Sequence, residues 1–361
     1  MRGMAARQAM MLTAITPDAL VPKDHPIRRI KPLAEAALAE LSPTFSHMYA
    51  DEGRPSIPPE HLLKASLLMA LFSVRSERQF CERLQYDLLF KWFLDLNIMD
   101  AAFEHSVFSK NKDRLLEHAV AREFFAAVVE QARQRKLLSQ EHFSVDGTLL
   151  EAWASMKSVR PKDGGGNPPT GPGRNPEVDF RGERRMNETH ASTTDPDAQL
   201  ARKGPGREAR LSYAGHVLME NLNGLVVDVQ ITKASGTAER DTALDMLQAV
   251  PGSKRITVGA DKGYDTKDFV RECREMDITA HVAQKIHSAI DGRTARHDGY
   301  RISQRIRKRI EEVFGWIKTI GGGRKLRYLG VERNQLWAEM TLAAYNLVRM
   351  AKLTQAAVRP I

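Results

Sequence analysis

The chain has 361 residues, 42% of them hydrophobic, enough for two domains and a sizeable core in a globular protein. No run approaches the roughly 18 uninterrupted apolar residues of a membrane span, and the best candidate, HLLKASLLMALFSV, carries Lys64 and reads as a buried helix. The net charge is +9, and residues 285–330 alone hold twelve Lys or Arg against four Asp or Glu, so that segment either meets a polyanion or is a solvated basic helix face.

The first twenty residues, MRGMAARQAMMLTAITPDAL, lack a signal-peptide layout, so no secretion is expected. Residues 1–138 read as helical. Leu62, Leu63, Leu67, Leu68 and Leu71 follow a Pro-Pro start at 58–59 with helical spacing, and a second helix opens at Ser76 with Gln79 as its capping-box partner. HSVFSKNKDRLLEH reads as a short basic helix, followed by the helical AREFFAAVVEQARQRKLL. Such a series fits a DNA-binding helix-turn-helix arrangement, with residues 105–114 as the reading helix, and fits an interaction or dimerisation domain as well. Cys81 and Cys273, far apart in sequence, exclude a disulfide framework and a zinc site and suit a reducing cytoplasm.

From residue 139 to 350 a mixed α/β domain is expected, with 351–361 as a tail. HFSVDG alternates, Phe143 and Val145 to one side, Ser144 and Asp146 to the other. VRPKDGGGNPPTGPGRNP, at 159–176, is too rich in Gly and Pro to pack, and a mobile basic loop is expected over about 156–210. HVLMENLNGLVVDVQIT then places two apolar runs around Asn223-Gly224, a hairpin signal. A helix spanning Glu239 to Leu247, an alternating strand RITVGADKGYD and a strand ITAHVAQK follow. A long helix ended by Gly321–Gly323 and a final helix in NQLWAEMTLAAYNLVRMAKL close the chain.

Three carboxylates stand out. Asp146 and Asp261 each sit at the expected end of an alternating strand, followed by a glycine, Gly147 or Gly263, that lets the backbone turn away, and strand ends in open α/β sheets are where ligands bind. In SQRIRKRIEEVFGWIKTIGGG, at roughly 100° per residue, Ile302, Ile306, Ile310, Val313, Phe314, Ile317 and Ile320 form one face. Gln304, Arg307, Glu311 and Lys318 line its border, whereas Glu312 points away and pairs best with Lys308 and Arg309. Three hard oxygen donors in a basic domain suit two Mg²⁺ or Mn²⁺ ions acting on a phosphodiester, with Arg307 and Lys318 on the DNA backbone.

With these residues in place, the chain resembles bacterial insertion-sequence transposases of the DDE type, which have a ribonuclease-H-like catalytic fold: a mixed sheet flanked by helices, here preceded by the all-α region. FSVDGTLLEAWAS resembles the family's first-strand aspartate segment, GADKGYDT the second, and RIRKRIEEVFGWIKTIGG the helix that supplies the glutamate. Arg307, Glu311 and Lys318 match the family's tyrosine–arginine–glutamate–lysine signature in type and spacing; its tyrosine position is Gln304, which lacks the ring. The resemblance implies Asp146, Asp261 and Glu311 as catalytic residues and ligands of two Mg²⁺ or Mn²⁺ ions. Arg307, Lys318, Gln304, Lys262, Arg324 and Lys325 would bind DNA, and His216 would be either a site neighbour or a hairpin residue. It further implies cleavage at terminal inverted repeats, joining of the 3′-OH ends to target DNA, a homodimer or larger assembly on DNA, and a nucleoid-associated place in a bacterial cytoplasm. Only Ile286–Gly299 separate the fifth strand's segment from Tyr300, so no β insertion is expected there. A metal-dependent nuclease without strand transfer and a catalytically dead DNA-binding repressor are the alternatives.

Overall fold

The computed structural model describes residues 16–49, 56–162, 185–204, 206–252 and 255–358. Helices α1 (Pro17–Leu20), α2 (Ile27–Glu40), α3 (Ser42–Met48), α4 (Pro59–Leu71), α5 (Glu77–Tyr86), α6 (Leu88–Phe93), α7 (His105–Glu117) and α8 (Val120–Gln134) build the first region. The start signals act as expected. Pro59 opens α4, and Ser76 caps α5 by accepting the Gln79 N–H at 3.1 Å. Gln79 reaches back to the N–H of Arg75, one residue earlier than an ideal capping box requires.

The main sheet contains β1 (His142–Glu151), β4 (Gln199–Ala201), β5 (Arg210–Glu220), β6 (Val226–Lys233), β7 (Ile256–Ala260) and β8 (Ile278–Val282). β5 pairs antiparallel with β1 and β6, and the parallel set β1–β7–β8 extends the other edge. The β5–β6 hairpin turns where Asn223-Gly224 predicts, with Gly224 at φ +71°. Helices α9 (Ala238–Gln248) and α10 (Lys267–Glu275) cover one face. The other lies under α12 (Asp298–Ile306), α13 (Ile310–Thr319) and α14 (Val331–Val358), with α11 (Gly292–Arg296) at its margin. Residues 286–299 contain no strand, as expected. This is the ribonuclease-H-like mixed sheet flanked by helices.

Four features differ from the sequence reading. The first region shares a continuous core with the rest, because α14, apolar on nearly all sides, packs on α4, α8 and β6 together. That helix runs to Val358, into the stretch read as a tail. Residues 163–184 of the expected mobile loop lie outside the described residues, but on either side β2 (Val159–Pro161) pairs with β3 (His190–Ser192), and β4 joins the sheet. The glutamate-bearing helix is broken: a 3₁₀ turn at Arg307–Arg309 separates α12 from α13, and Ile302 and Ile320 are exposed, outside the expected apolar face.

Candidate active site

Asp146 does not end its strand. β1 continues to Glu151, and Gly147 lies in register with His216 of β5. Nor does Gly147 serve a turn. A Cβ built there would stand 2.5 Å from Cγ and Oε1 of Glu239, which reaches across from α9, so only glycine lets that carboxylate approach β1. Asp261 does follow the end of β7, capping a 3₁₀ turn at Lys262–Tyr264 through the Gly263 N–H, 2.6 Å from its Oδ1. Glu311 and Glu312 are both exposed in the first turn of α13. Glu312 meets Arg349 at 3.6 Å rather than Lys308 or Arg309, because Arg309 turns to the Asn221 carbonyl.

Electrostatics tie the carboxylates together. Burial pushes Asp146 up to about 7, the charges of Asp261, Glu239 and Glu311 add to the rise, and the Gly147 N–H, 2.8 Å away, opposes it. Burial and then Asp261 likewise raise Glu239. Tyr264, buried beside Glu239, Asp146 and Asp261, is held well above its ordinary value, first by burial, and its hydroxyl has no hydrogen-bond partner among the described residues. Even so, no group of three or more His, Cys, Asp or Glu side chains among the described residues is arranged to hold a metal ion. The carboxylates lie within one another's field without forming a coordination sphere.

The cations divide in two. Lys318 donates to Thr148 Oγ1 at 2.5 Å. Burial and the nearby Lys203 lower its pKa, against the pull of Glu311 and Asp146, which places it beside the cluster. Arg307 lies where the 3₁₀ turn crosses Gly259 and donates from Nε to Gln304 Oε1 at 3.0 Å. Gln304 spends its other end on the His281 carbonyl, so both ends of its amide are engaged inside the protein, joining α12 to β8. Lys262 and Arg324 are exposed, and exposed Lys325 stands 3.7 Å from Glu151 and over the Trp153 ring.

His216 is fully buried, held neutral by burial, which lowers it to about 4, and hydrogen-bonded through Nε2 to Thr232 Oγ1 at 2.8 Å. Asp265, an acid in the same motif as Asp261, accepts the N–H groups of Lys285 and Ala289 and is a structural anchor. In α7, Lys112 is bound to Glu77 and Tyr328, and Arg114 stacks over Tyr49, leaving little of the expected reading helix's charge free.

Two sequence families match the chain: the Transposase domain (DUF772) family over residues 16–114 and the Transposase DDE domain family over residues 186–347. The chain belongs to the insertion-sequence DDE transposases. Its family activity is the cutting and moving of DNA, and no helix among the described residues of this transposase is long and apolar enough to cross a membrane. No curated protein matches it. Among solved structures, the piggyBac transposase synaptic complex with hairpin DNA is similar at 7% identity and TM-score 0.43, covering 92% of this chain and 76% of that one. The Mos1 strand transfer complex follows at 9% identity and TM-score 0.20, covering 85% and 81%. The Mos1 mariner paired end complex with Mn is at 10% identity, covering 94% and 90% with the same TM-score. At these scores the likenesses carry no argument.

Glu239, Lys203 and Tyr264 were missed by the sequence reading. Glu239 sits on a helix of ordinary composition, and its only sequence signal is the glycine 92 positions earlier that makes room for it.

Proposed function

We propose that this transposase cuts and joins DNA at a site formed by Asp146, Asp261 and Glu311, with Glu239 as a fourth oxygen donor. The observation that carries the reading is Asp146 raised to about 7 by burial and by three neighbouring carboxylates. A buried carboxylate beside three others is costly in a folded protein unless cations relieve it, and an all-oxygen donor set suits Mg²⁺ or Mn²⁺. Two such ions, when bound, would supply Lewis acidity at the scissile phosphate. The chain's own groups do the rest. Asp146 and Asp261 are presented from adjacent parallel strands, Glu311 comes from the first turn of α13, and Lys318, fixed on Thr148, places a positive charge beside them. Lys203, Lys262, Arg324 and Lys325 supply further cationic surface for the phosphodiester backbone, whereas Arg307 and Gln304 brace the break between α12 and α13.

On this reading the protein binds the terminal inverted repeats, acts as a homodimer or larger assembly on DNA, joins 3′-OH ends to target DNA, and works at the nucleoid. The test is cleavage of DNA carrying the element's ends in Mg²⁺, with Asp146→Asn, Asp261→Asn and Glu311→Gln each compared with the parent. Loss of cutting with DNA binding kept is the expected result; unchanged cleavage by Asp146→Asn would refute it. Pre-cut ends offered with target DNA separate a transposase from a nuclease, since only the former inserts them.

A further inference from the structure

The sheet carries a second concave site, at the far end of β1 from Asp146. His142 begins β1, four residues before Asp146 and roughly 13 Å along an extended strand. Its register neighbours are Thr257 on β7 and, beyond it, Thr279 on β8, while His281 lies opposite Gly259, so one face of the sheet gathers these groups. The start of α12 and the short α11 stand over that face and leave a cavity of about 630 Å³. Arg255 and Arg293 line it, both exposed and neither side chain with a hydrogen bond or ion pair among the described residues. Glu141 is the one acidic side chain in the lining.

The decisive group is His281. It is only 6% exposed, its ring packs edge-on against Tyr300 at 5.6 Å, and its Nδ1 has no partner among the described residues. Burial and the nearby His142 and His297 lower its pKa to about 4, so it is neutral at ordinary pH, able to donate from one ring nitrogen and accept at the other. The other two imidazoles are already committed on one side: His142 Nε2 to Ser303 Oγ at 2.7 Å, and His297 Nδ1 to the Gly299 N–H at 3.0 Å. Nδ1 is closed off inside the protein, so Nε2, which has no hydrogen bond among the described residues, is the nitrogen that can meet a polar guest in the cavity.

We propose that this cavity binds a phosphate group, held by Arg255 and Arg293 with His281 completing its hydrogen bonds. Two guanidinium forks against one carboxylate favour an anion, and phosphate is the anion their geometry suits. A metal cation is disfavoured by two guanidinium groups against one carboxylate in the lining, and because His142 and His297 each already commit a ring nitrogen within the protein. The volume exceeds that of a lone phosphate, so the group arrives on a larger body, either a free phosphorylated molecule or the DNA backbone. The site is independent of the carboxylate reading, since it shares no side chain with it.

The test uses the full chain and the double variant Arg255→Ala/Arg293→Ala, whose exposed side chains can be removed without opening the core. Inorganic pyrophosphate is titrated by calorimetry at constant ionic strength while the ¹⁵N ring signals of His281 are followed. Binding to DNA is measured in parallel over a range of NaCl concentrations. A free-phosphate site gives pyrophosphate binding that moves the His281 signal and weakens at least tenfold in the double variant. A backbone site gives a His281 signal that moves on DNA and a log K against log salt slope that falls by about two in the double variant. A His281 signal unmoved by both probes, or affinities and slope unchanged in the double variant, overturns the proposal.

Discussion

Replacing Asp146 by Asn should stabilise the free protein while abolishing its chemistry. The carboxyl is raised from an ordinary 3.8 to about 7, and with about 1.4 kcal/mol per pKa unit the folded chain carries up to about 4 kcal/mol of penalty at neutral pH. The sign follows from the direction. Below pH 3.8 the group is neutral in both the folded and unfolded states and costs nothing. The penalty grows as pH rises through 3.8 and levels off above about 7. Asn keeps an oxygen for the Gly147 N–H but adds an amide that needs its own partners, so about 1–3 kcal/mol should be recovered. In a chain of this size that corresponds to a rise in Tm of about 1–4 °C at pH 7.5 in EDTA. Magnesium should reverse the ranking, since a ligand at a hundredfold excess over its Kd stabilises the parent by about 2.7 kcal/mol and the variant by much less. Scanning calorimetry of both proteins, with EDTA and with MgCl₂, decides it. A variant less stable than the parent in EDTA, or one that gains as much from Mg²⁺, would refute the reading that burial and the neighbouring carboxylates make the Asp146 charge costly in the free protein.

Gly147→Ala should force Glu239 away from β1 and lower the cleavage rate at least tenfold with little loss of DNA affinity; a Gly147→Ala protein that cuts at the parental rate would remove Glu239 from the site. Lys112→Met leaves the largely buried Glu77 carboxylate with Tyr328 alone, which should cost about 3–5 kcal/mol in urea unfolding and loosen α5 and α7 from the 320–330 segment, visible as faster amide exchange there. His216 takes up a proton near 6.5 when unfolded but only near 4 when folded, so stability falls as pH drops between those values, by up to about 3 kcal/mol; in His216→Gln that part of the slope should vanish from urea midpoints measured at pH 5 and 7.

Local pattern carried most of the architecture. Apolar period, caps and Asn-Gly punctuation fix what a segment can be without reference to its neighbours, which is why α4, α5 and the β5–β6 hairpin lie where the sequence puts them. Asp146 and Asp261 were legible because alternation on a strand assigns each side chain to a face. Glu311 was singled out by helical phase, which held locally although the helix itself is interrupted at Arg307–Arg309.

What the sequence could not supply were relations between distant segments. Gly147 looked like a turn residue because the reason for it, the Glu239 side chain, lies on another element and leaves no local mark. Gln304 and Lys112 looked like free polar groups, yet their partners, the His281 carbonyl and the Glu77–Tyr328 pair, become neighbours only after folding. The boundary at 138 followed a change of pattern, whereas the core followed α14, which is apolar enough to be buried by two regions at once. The sequence by itself therefore determined most of the elements and singled out Asp146 and Asp261 as candidates. Packing decided that their charges are shared with Glu239 and that a second basic cavity opens at the opposite end of the same strand, because both depend on distances through space that residue spacing does not encode.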